Sequence, residues 1–231
     1  MLLVVANKLY SSWSMRPWLL MRALGIPFAD ETIPMYRPDT KSRMLARGPT
    51  GKCPVLIDGD VTVWESLAII EYLADKFPDK AVWPRDVRAR AHARAATSEM
   101  HAGFQPLRQH CPMNLRAHFA FKDRGTDVAA SQARVESLWR EARQMFGAAS
   151  GQPFLYGPFS AADAMFAPVV SRLETYSMPV AADTRVYMDA VLSHSAFADW
   201  RADAMAEPVE WNVPHYEDGE TPVDVFKPMS A

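Results

Sequence analysis

Cysteine is scarce in this sequence. Of 231 residues only Cys53 and Cys111 carry a thiol, and 58 positions separate them. They form no C-x-x-C motif, so the cysteine pattern argues against a zinc site and against a disulfide framework. Six scattered histidines form no H-E-x-x-H motif, and we expect no metal cofactor. Two unpaired thiols fit a protein of a reducing compartment.

An excess of positive charge and long hydrophobic runs are also missing. The formal net charge is -2, so the chain has no basic field for a phosphate backbone, and we expect no nucleic-acid partner. No run reaches the length of about 18 apolar residues that crosses a bilayer, and the opening MLLVVA is too short for a signal peptide. The sequence therefore predicts a cytoplasmic protein with no membrane partner.

The chain does have enough apolar material for a conventional core, since 49% of its residues are hydrophobic. Over the first 78 residues the pattern changes repeatedly between the alternation of a strand and the spacing of a helix. We predict strands at 2–5, 28–33, 54–57 and 61–63, and helices at 18–24, 41–46 and 65–76. Asp58-Gly59 is a hairpin turn signal between the last two strands. The predicted order is βαβαββα.

The composition changes after Pro78. The stretch from Pro78 to Asp86 contains two prolines, Pro78 and Pro84, and we predict a linker at 79–87. Beyond it, apolar residues recur at helical spacing in 88–110, 128–147 and 160–177. Four prolines and several acids follow from Glu207 onward, which predicts an irregular tail. The sequence therefore predicts two domains, an α/β domain at 1–78 and a helical domain at 88–231 that includes this tail.

Two polar motifs frame the predicted hairpin. Cys53-Pro54 comes directly before its first strand, and Glu65-Ser66 comes directly after its second strand, at the start of a helix. From the residues alone, Glu65 or Ser66 is a candidate helix N-cap, because either side chain can accept from the exposed N–H groups of the first turn.

Residues 51–78, GKCPVLIDGDVTVWESLAIIEYLADKFP, closely resemble the glutathione transferases. The resemblance implies an α/β thioredoxin-like N-terminal domain that binds glutathione and an all-α C-terminal domain. It also implies a cis peptide bond at Cys53-Pro54, which turns the backbone of Cys53 toward the tripeptide. In the same family the Glu65-Ser66 pair binds the γ-glutamyl group. Lys52 and Lys41 match basic residues that hold the glycyl end.

A second motif supports the resemblance. Ser160-x-x-Asp163 has the form of a capping box at the start of a helix in the second domain, where this family has one. In the box, the serine hydroxyl accepts from a helical N–H while the carboxylate accepts from the cap N–H. We assign this motif a structural role, outside the active site.

Three serines crowd the loop before the first helix, in the stretch SSWSMRP. We predict that Ser14 caps this helix and that Pro17 falls in its first turn, where the missing N–H costs little. Ser11 and Ser12 then lie before a helix N-terminus, which favours an anion. By the resemblance this anion is the glutathione thiolate. Ser11 is the first candidate, because it stands five residues before Arg16 as in the family motif S-x-x-x-x-R, Ser12 is the second, and Tyr10 is a distant third.

The same stretch lacks the C-x-x-C of related thioredoxin-like proteins. Its four positions, residues 11–14, read Ser-Ser-Trp-Ser. A mixed disulfide between this loop and glutathione therefore has no resident thiol to form it.

The opening SSWSMR and the later AGFQPLRQH are similar to the zeta class of the family. Trp13 replaces the cysteine of that class, and Thr175 stands where its substrate-binding arginine is expected, with Arg172 three residues early. These departures weigh against a maleylacetoacetate isomerase, which we keep as an alternative. The residues that we expect to line the electrophile pocket are Trp13, His101, Phe104, Gln105 and Arg108.

The favoured function is conjugation of the glutathione thiolate to a small electrophilic compound, in a cytoplasmic detoxification role. Besides the isomerase, the alternative is a non-catalytic module that binds glutathione or another ligand. The resemblance also implies a homodimer.

Overall fold

The N-terminal part of the computed structural model, which describes residues 1–213 and 221–225, has the predicted βαβαββα order. Its strands and helices are β1 (Leu2–Val5), α1 (Ser12–Ala23), β2 (Ala29–Thr32), α2 (Thr40–Leu45), β3 (Val55–Asp58), β4 (Val61–Trp64) and α3 (Ser66–Lys76). Each element lies within about two residues of its predicted position except α1, which begins earlier than predicted, at Ser12.

The four strands form one mixed sheet in the order β2-β1-β3-β4. Strand β1 runs parallel to β2 and antiparallel to β3, and β3 and β4 form a hairpin. Gly59 lies in the hairpin turn with a φ of 62°, which favours a residue without a Cβ. Because β1 is a central strand of the sheet, Leu3 to Val5 are fully buried. The loop that carries the serines begins directly after this buried strand.

The second part is helical, with one short exception. Its helices are α4 (Val87–Ala102), α5 (Gln105–His110), α6 (Thr126–Ala142), α7 (Ala161–Thr175), α8 (Ala182–Leu192) and α9 (Ser195–Met205). The exception is a pair of two-residue strands, β5 (Ala117–His118) and β6 (Asp224–Val225). A π-helical turn, Arg143–Gly147, extends α6 to the predicted end of that helix.

One predicted helix, 88–110, is two helices in the structure. Gly103 ends α4, and Phe104 adopts a left-handed conformation with a φ of 59° before α5 begins. The break redirects α5, so residues after Ala102 do not continue the face of α4. Asp86 caps α4 by accepting from the N–H groups of Arg88 and Ala89, so this helix begins at the end of the segment 79–87 that the sequence predicts as a linker.

Helix α7 is the buried centre of the second part, and it packs against α1 of the first part. The predicted capping box at its start is present. The Asp163 carboxylate accepts from the N–H of Ser160 at 2.9 Å, from the N–H of Leu155 at 3.0 Å and from the hydroxyl of Tyr187 at 3.3 Å. The motif therefore joins α7 to the preceding loop and to α8.

The predicted tail has order where the structure describes it. Residues 207–213 contain a 3-10 turn, Val209–Trp211, and contact the loop after β1. Residues 214–220 and 226–231 lie outside the described residues. No helix in the described ranges is both long and apolar enough to cross a membrane.

Candidate active site

The loop between β1 and α1 places the three serines differently from the prediction. Ser11, and not Ser14, is the N-cap of α1, since its hydroxyl oxygen accepts from the N–H of Ser14 at 3.3 Å. Pro17 accordingly lies inside the helix and not in its first turn. The Ser14 hydroxyl is fully buried and accepts from the N–H of Ala6 at 3.0 Å. Both residue types suit a cap, so the pattern could not separate them.

Ser12 is the first residue of α1. Among the residues that the structure describes, its hydroxyl has no hydrogen-bond partner, whereas the Ser11 hydroxyl donates to Ser14 at 2.8 Å. Both serines line a cavity of about 760 Å³. The hydroxyl of Ser12 is therefore available to a bound group at a helix N-terminus, where the helix dipole favours negative charge.

Cys53 also lines this cavity. The peptide bond between Cys53 and Pro54 is cis, as the resemblance implied. Burial raises the pKa of the Cys53 thiol to about 12, and the nearby Glu31 carboxylate adds to the rise. This thiol is therefore protonated at neutral pH and is not a nucleophile. What Cys53 can offer to a ligand is its backbone.

Two of the predicted lysines lie on the same cavity. Lys41 and Lys52 both line it, and both are exposed to solvent. Lys41 comes from α2 and Lys52 from the loop before β3, whereas the serines come from the loop after β1. This placement fits two cations that face one end of an elongated anionic ligand.

A smaller groove joins the cavity. It is lined by Trp13, Lys52, Cys53, Pro54, Trp64 and Glu65, together with Thr50. Trp13, Lys52 and Cys53 belong to both linings, so the cavity and the groove meet along these three residues. An extended ligand of tripeptide size can span both.

Glu65 is held in an uncommon backbone conformation at the end of this groove. Its φ is 80°, a value that costs a residue with a Cβ about 1–3 kcal/mol and is found mostly at functional sites. The carboxylate caps α3 by accepting from the N–H of Leu67 at 3.0 Å. It also lies 3.6 Å from Nε2 of His101, a residue of the helical part. Glu65 therefore presents a negative charge where the two parts of the chain meet.

Ser66 is placed differently from the expectation. Its side chain is fully buried, and its hydroxyl accepts from the Arg16 guanidinium at 3.2 Å and donates to Glu65 at 3.4 Å. The groove surface includes Glu65 and not Ser66. The serine thus contacts Glu65 and Arg16, and of the Glu65-Ser66 pair only the glutamate lines the groove.

Arg16 packs against the ring of Trp13, a residue that lines both the cavity and the groove. Arg16 is fully buried, and its guanidinium lies 4.1 Å from the centre of the Trp13 ring. Arg108 lies 5.4 Å from the same ring, and the His101 ring meets it edge-on at 5.1 Å. Burial lowers the pKa of Arg16, with Arg108 adding to the fall. Two guanidinium groups on one indole ring hold Trp13 in place by cation–π attraction.

The residues expected to line an electrophile pocket fall into two groups in the structure. Trp13, Gln105 and Arg108 line the large cavity, as expected. Among the described residues, His101 contacts Trp13, Arg16 and Glu65 and is not part of the cavity lining. Phe104 is also absent from that lining; it packs against the hydrophobic core, because the left-handed turn before α5 directs it there.

Two arginines of the cavity were not among the predicted site residues. Arg172 extends from α7 into the lining and donates to the backbone oxygen of Cys111. Arg37, from the loop before α2, lines the cavity as well. A count from Pro168 assigns the arginine position to Thr175, whose hydroxyl instead donates to the backbone oxygen of Asn114 at 2.9 Å. One helical turn separates the two residues, so Arg172 lies on the same face of α7 as the expected position.

Comparison with known protein families agrees with this geometry. Residues 10–76 match the family model described as glutathione S-transferase, N-terminal domain. The match covers the serine loop, the Cys53-Pro54 motif and the Glu65-Ser66 motif.

Comparison with characterised sequences finds relatives of the same kind. The chain is 39% identical over 104 residues to a probable maleylacetoacetate isomerase of Caenorhabditis elegans, a match that covers 43% of this chain and 48% of the relative. It is 34% identical over 104 residues to glutathione S-transferase Z2 of Arabidopsis thaliana, covering 43% of this chain and 47% of the relative. The chain thus matches about half the length of these relatives.

Comparison with solved structures extends the likeness to the helical part. A glutathione transferase homolog from a Burkholderia strain, solved with bound glutathione, superposes with a TM-score of 0.66 at 21% identity. The superposition covers 89% of this chain and 98% of that protein. Residues 10–76 therefore match the glutathione S-transferase N-terminal domain family, and the chain has the fold of the glutathione transferases.

Proposed function

We propose that this protein is a glutathione transferase in which the Ser12 hydroxyl stabilises the glutathione thiolate. The observation that carries the proposal is the unpartnered hydroxyl of Ser12 among the described residues, on the first turn of α1 and in the same cavity as Cys53. Ser11 is the second candidate, because its hydroxyl serves as the helix cap and already donates to Ser14.

The chemical task is to deprotonate a thiol. A free cysteine thiol has a pKa of about 8.5, so it is mostly protonated at neutral pH, and only the thiolate attacks an electrophile. Lowering this pKa by one unit requires about 1.4 kcal/mol of preference for the charged form. A hydrogen bond to a charged acceptor contributes about 1.5–3 kcal/mol, so one serine hydroxyl at a helix N-terminus is sufficient.

The remaining residues fit the rest of the tripeptide. Glu65 is a partner for the α-ammonium group of the γ-glutamyl residue. The backbone of Cys53, beside the cis peptide bond, is a partner for the central amides. Lys41 and Lys52 are partners for the glycyl carboxylate. This arrangement runs from the small groove into the large cavity and brings the sulfur to the serine loop.

The charge of the cavity indicates the kind of electrophile. Five cationic side chains line it, and the lining contains no acidic residue within the described ranges. These cations are Arg37, Lys41, Lys52, Arg108 and Arg172. Glutathione carries two carboxylates, one at its glycyl end and one on its γ-glutamyl residue, so the five cations of the lining exceed the negative charge of these carboxylates. We therefore propose an electrophile that carries a carboxylate.

This charge also favours a second candidate function, glutathione-dependent cis–trans isomerisation of an unsaturated keto acid. Arg108 and Arg172 line the cavity and are the proposed partners of the substrate carboxylate, although Thr175 occupies the expected position. In this reaction the thiolate adds to the conjugated double bond, rotation occurs about the resulting single bond, and expulsion of the thiolate restores the double bond. Glutathione is not consumed. The name of the Caenorhabditis elegans relative points the same way.

One experiment separates the candidates. Glutathione binding is measured by calorimetry, and the enzyme is then incubated with glutathione and a cis-configured unsaturated keto acid or its methyl ester. A conjugate that contains glutathione supports the transferase. An isomer of unchanged mass, with glutathione recovered, supports the isomerase. Preference for the acid over the ester supports the role of the arginines. Binding without either product supports the non-catalytic module, and no binding contradicts all three. Homodimerisation stays a prediction, which light scattering measures.

A further inference from the structure

The loop that precedes the serines is held by a residue from the far end of the chain. Glu207, two residues after α9, accepts from the backbone N–H of Lys8 and, at 3.4 Å, from that of Leu9. These are consecutive amides of the loop between β1 and α1. A carboxylate that accepts from two backbone N–H groups forms charge-assisted hydrogen bonds, which are about twice as strong as neutral ones.

Other residues near Glu207 hold the same loop. The Asn7 side-chain amide donates to the backbone oxygen of Trp211 at 3.1 Å. The indole N–H of Trp200, in α9, donates to the backbone oxygen of Lys8 at 3.0 Å. The loop is thus fixed from one side by residues more than 190 positions away in the sequence.

The constraint passes directly to the serines. The backbone oxygen of Asn7 accepts from the N–H of Tyr10 at 3.1 Å and from the N–H of Ser11 at 2.8 Å. The loop is therefore a compact turn in which the positions of Lys8 and Leu9 determine where α1 begins. Because Ser12 is the first helical residue, a shift of the turn moves its hydroxyl relative to Cys53.

The Glu207 carboxylate is bound by backbone N–H groups of the loop, whereas the Lys8 ammonium group pairs with other acids. The Lys8 ammonium group pairs with Asp203 at 2.6 Å and with Asp30 at 2.7 Å, so its carboxylate partners are other residues. Glu207 itself is half-buried and depends on the loop amides. Burial raises its pKa, while the N–H groups of Lys8 and Leu9 act in the opposite direction.

We propose that Glu207 is a positioning residue for catalysis: its carboxylate holds the amides of Lys8 and Leu9 and thereby fixes the Ser12 hydroxyl against the glutathione sulfur. The inference rests on the proposed function. Glu207 does not touch the ligand, so its removal should change the geometry of the thiolate site and leave the Glu65 end of the groove intact. A displacement of a catalytic group by about 1 Å can lower a rate by up to about a hundredfold.

The test compares Glu207→Gln and Glu207→Ala with Glu210→Gln. Glu210 is an exposed acid of the same segment and serves as the matched control. We expect Glu207→Ala to lower kcat about tenfold or more with little change in the dissociation constant of glutathione. Glutamine keeps one acceptor oxygen, so it should restore part of the loss. The ultraviolet absorbance of the bound thiolate should titrate at a higher pH in the alanine variant.

Amide hydrogen exchange completes the test without glutathione. Exchange in a peptide that covers residues 5–14 should accelerate in both Glu207 variants and not in the Glu210 control. A lower Tm with unchanged kcat and unchanged thiolate titration would overturn the inference, as would unchanged exchange of the loop amides. Accelerated exchange in a protein that does not bind glutathione would support the loop contact, overturn its catalytic meaning and identify the proposed function as the part that failed.

Discussion

The Ser11 hydroxyl donates to the Ser14 hydroxyl at 2.8 Å, inside the turn that begins α1. Ser14 in turn accepts from the N–H of Ala6 at the end of the central strand. The first and last serines of the loop therefore close the helix start against the sheet, and Ser12 is left as the serine whose hydroxyl has no hydrogen-bond partner among the described residues. Three chemically equal residues acquire two different roles from their positions.

This division of roles predicts that alanine at Ser12 changes the pKa of the bound thiol, whereas alanine at Ser11 changes the stability of the protein. Ser12→Ala should raise the pKa of bound glutathione by about one unit, because the thiolate loses a charge-assisted hydrogen bond, and should leave the Tm nearly unchanged. Ser11→Ala should lower the free energy of unfolding by about 1 kcal/mol, because α1 loses its cap. Spectroscopic titration of the bound thiol and chemical denaturation measure the two effects.

The same titrations also test the alternative in which Ser11 is the partner of the thiolate. A bound thiol that titrates normally in Ser11→Ala and also in Ser12→Ala would remove both hydroxyls from the mechanism. A raised thiol pKa in Ser11→Ala alone would return the role to the first candidate of the sequence analysis.

The second prediction concerns the γ-glutamyl end of glutathione. Glu65→Gln should weaken glutathione binding about tenfold, since an ammonium group loses its charged partner. The dipeptide cysteinylglycine lacks the γ-glutamyl group, so its affinity should not change. Asp60→Asn, in the exposed hairpin turn, is the control for loss of one acidic charge. Calorimetry with both peptides gives six dissociation constants, two each for wild type, Glu65→Gln and Asp60→Asn. Equal losses for tripeptide and dipeptide would place Glu65 away from the ammonium group.

The third prediction is a pH dependence of this binding. Burial lowers the pKa of His101; Glu65 acts in the opposite direction, and Arg16 and Arg108 add to the fall. His101 is therefore neutral at pH 7 and takes up a proton only below its ordinary pKa of about 6.5. A protonated ring would then compete with the ammonium group of glutathione for Glu65. With S-methylglutathione, which has no thiol to ionise, we expect the dissociation constant to be flat from pH 8 to 7 and to rise as the solution becomes more acidic.

Two substitutions check the assignment to His101. The acid-side rise should vanish in His101→Gln and persist in His110→Gln, a control at an exposed histidine near the end of α5. Protonation of His101 also changes the free energy of unfolding. Because the unfolded state binds the proton more readily than the folded state, the contribution of His101 to stability is lost as the pH falls. A rise that survives in His101→Gln would assign it to another group.

Much of the N-terminal domain could be predicted because its signals are local. Alternating apolar residues, Asp58-Gly59 and the helical spacing after Glu65 each act within a few residues, and the predicted order was confirmed. The capping box at Ser160 was predictable for the same reason. Local patterns could not distinguish Ser11 from Ser14, since either hydroxyl can accept from an N–H of a first turn and only the sheet decides which one does.

The rest of the site depends on contacts between distant residues. Phe104 had a helical spacing that placed it on the pocket wall, but the left-handed turn at that residue changes the direction of the chain. Helices α8 and α9 were not predicted, and Glu207 was assigned to an irregular tail, because nothing near it in sequence shows that it meets Lys8 and Leu9. Long-range pairing of this kind requires the tertiary structure.

The fourth prediction concerns Asp163, whose carboxylate is fully buried and accepts from Leu155, Ser160 and Tyr187. Asp163→Ala leaves these donors without a partner, so it should lower the free energy of unfolding by about 3 kcal/mol. Asp127, an exposed acid in the first turn of α6, is the matched control, and Asp127→Ala should change stability by less than about 0.5 kcal/mol. Denaturant titration measures both.

The contribution of the Asp163 carboxylate to stability depends on pH. Burial raises the pKa of Asp163 to about 6, above its unfolded value, although its hydrogen-bond donors oppose the rise. The folded state therefore binds a proton more readily than the unfolded state. The stability contributed by this proton is fully present below the unfolded pKa and is lost as the pH rises through about 6. Wild type should gain stability relative to Asp163→Asn as the pH falls from 7 to 5. A difference that stays constant over this range would mean that the hydrogen-bond donors hold the pKa of Asp163 near its unfolded value in spite of burial.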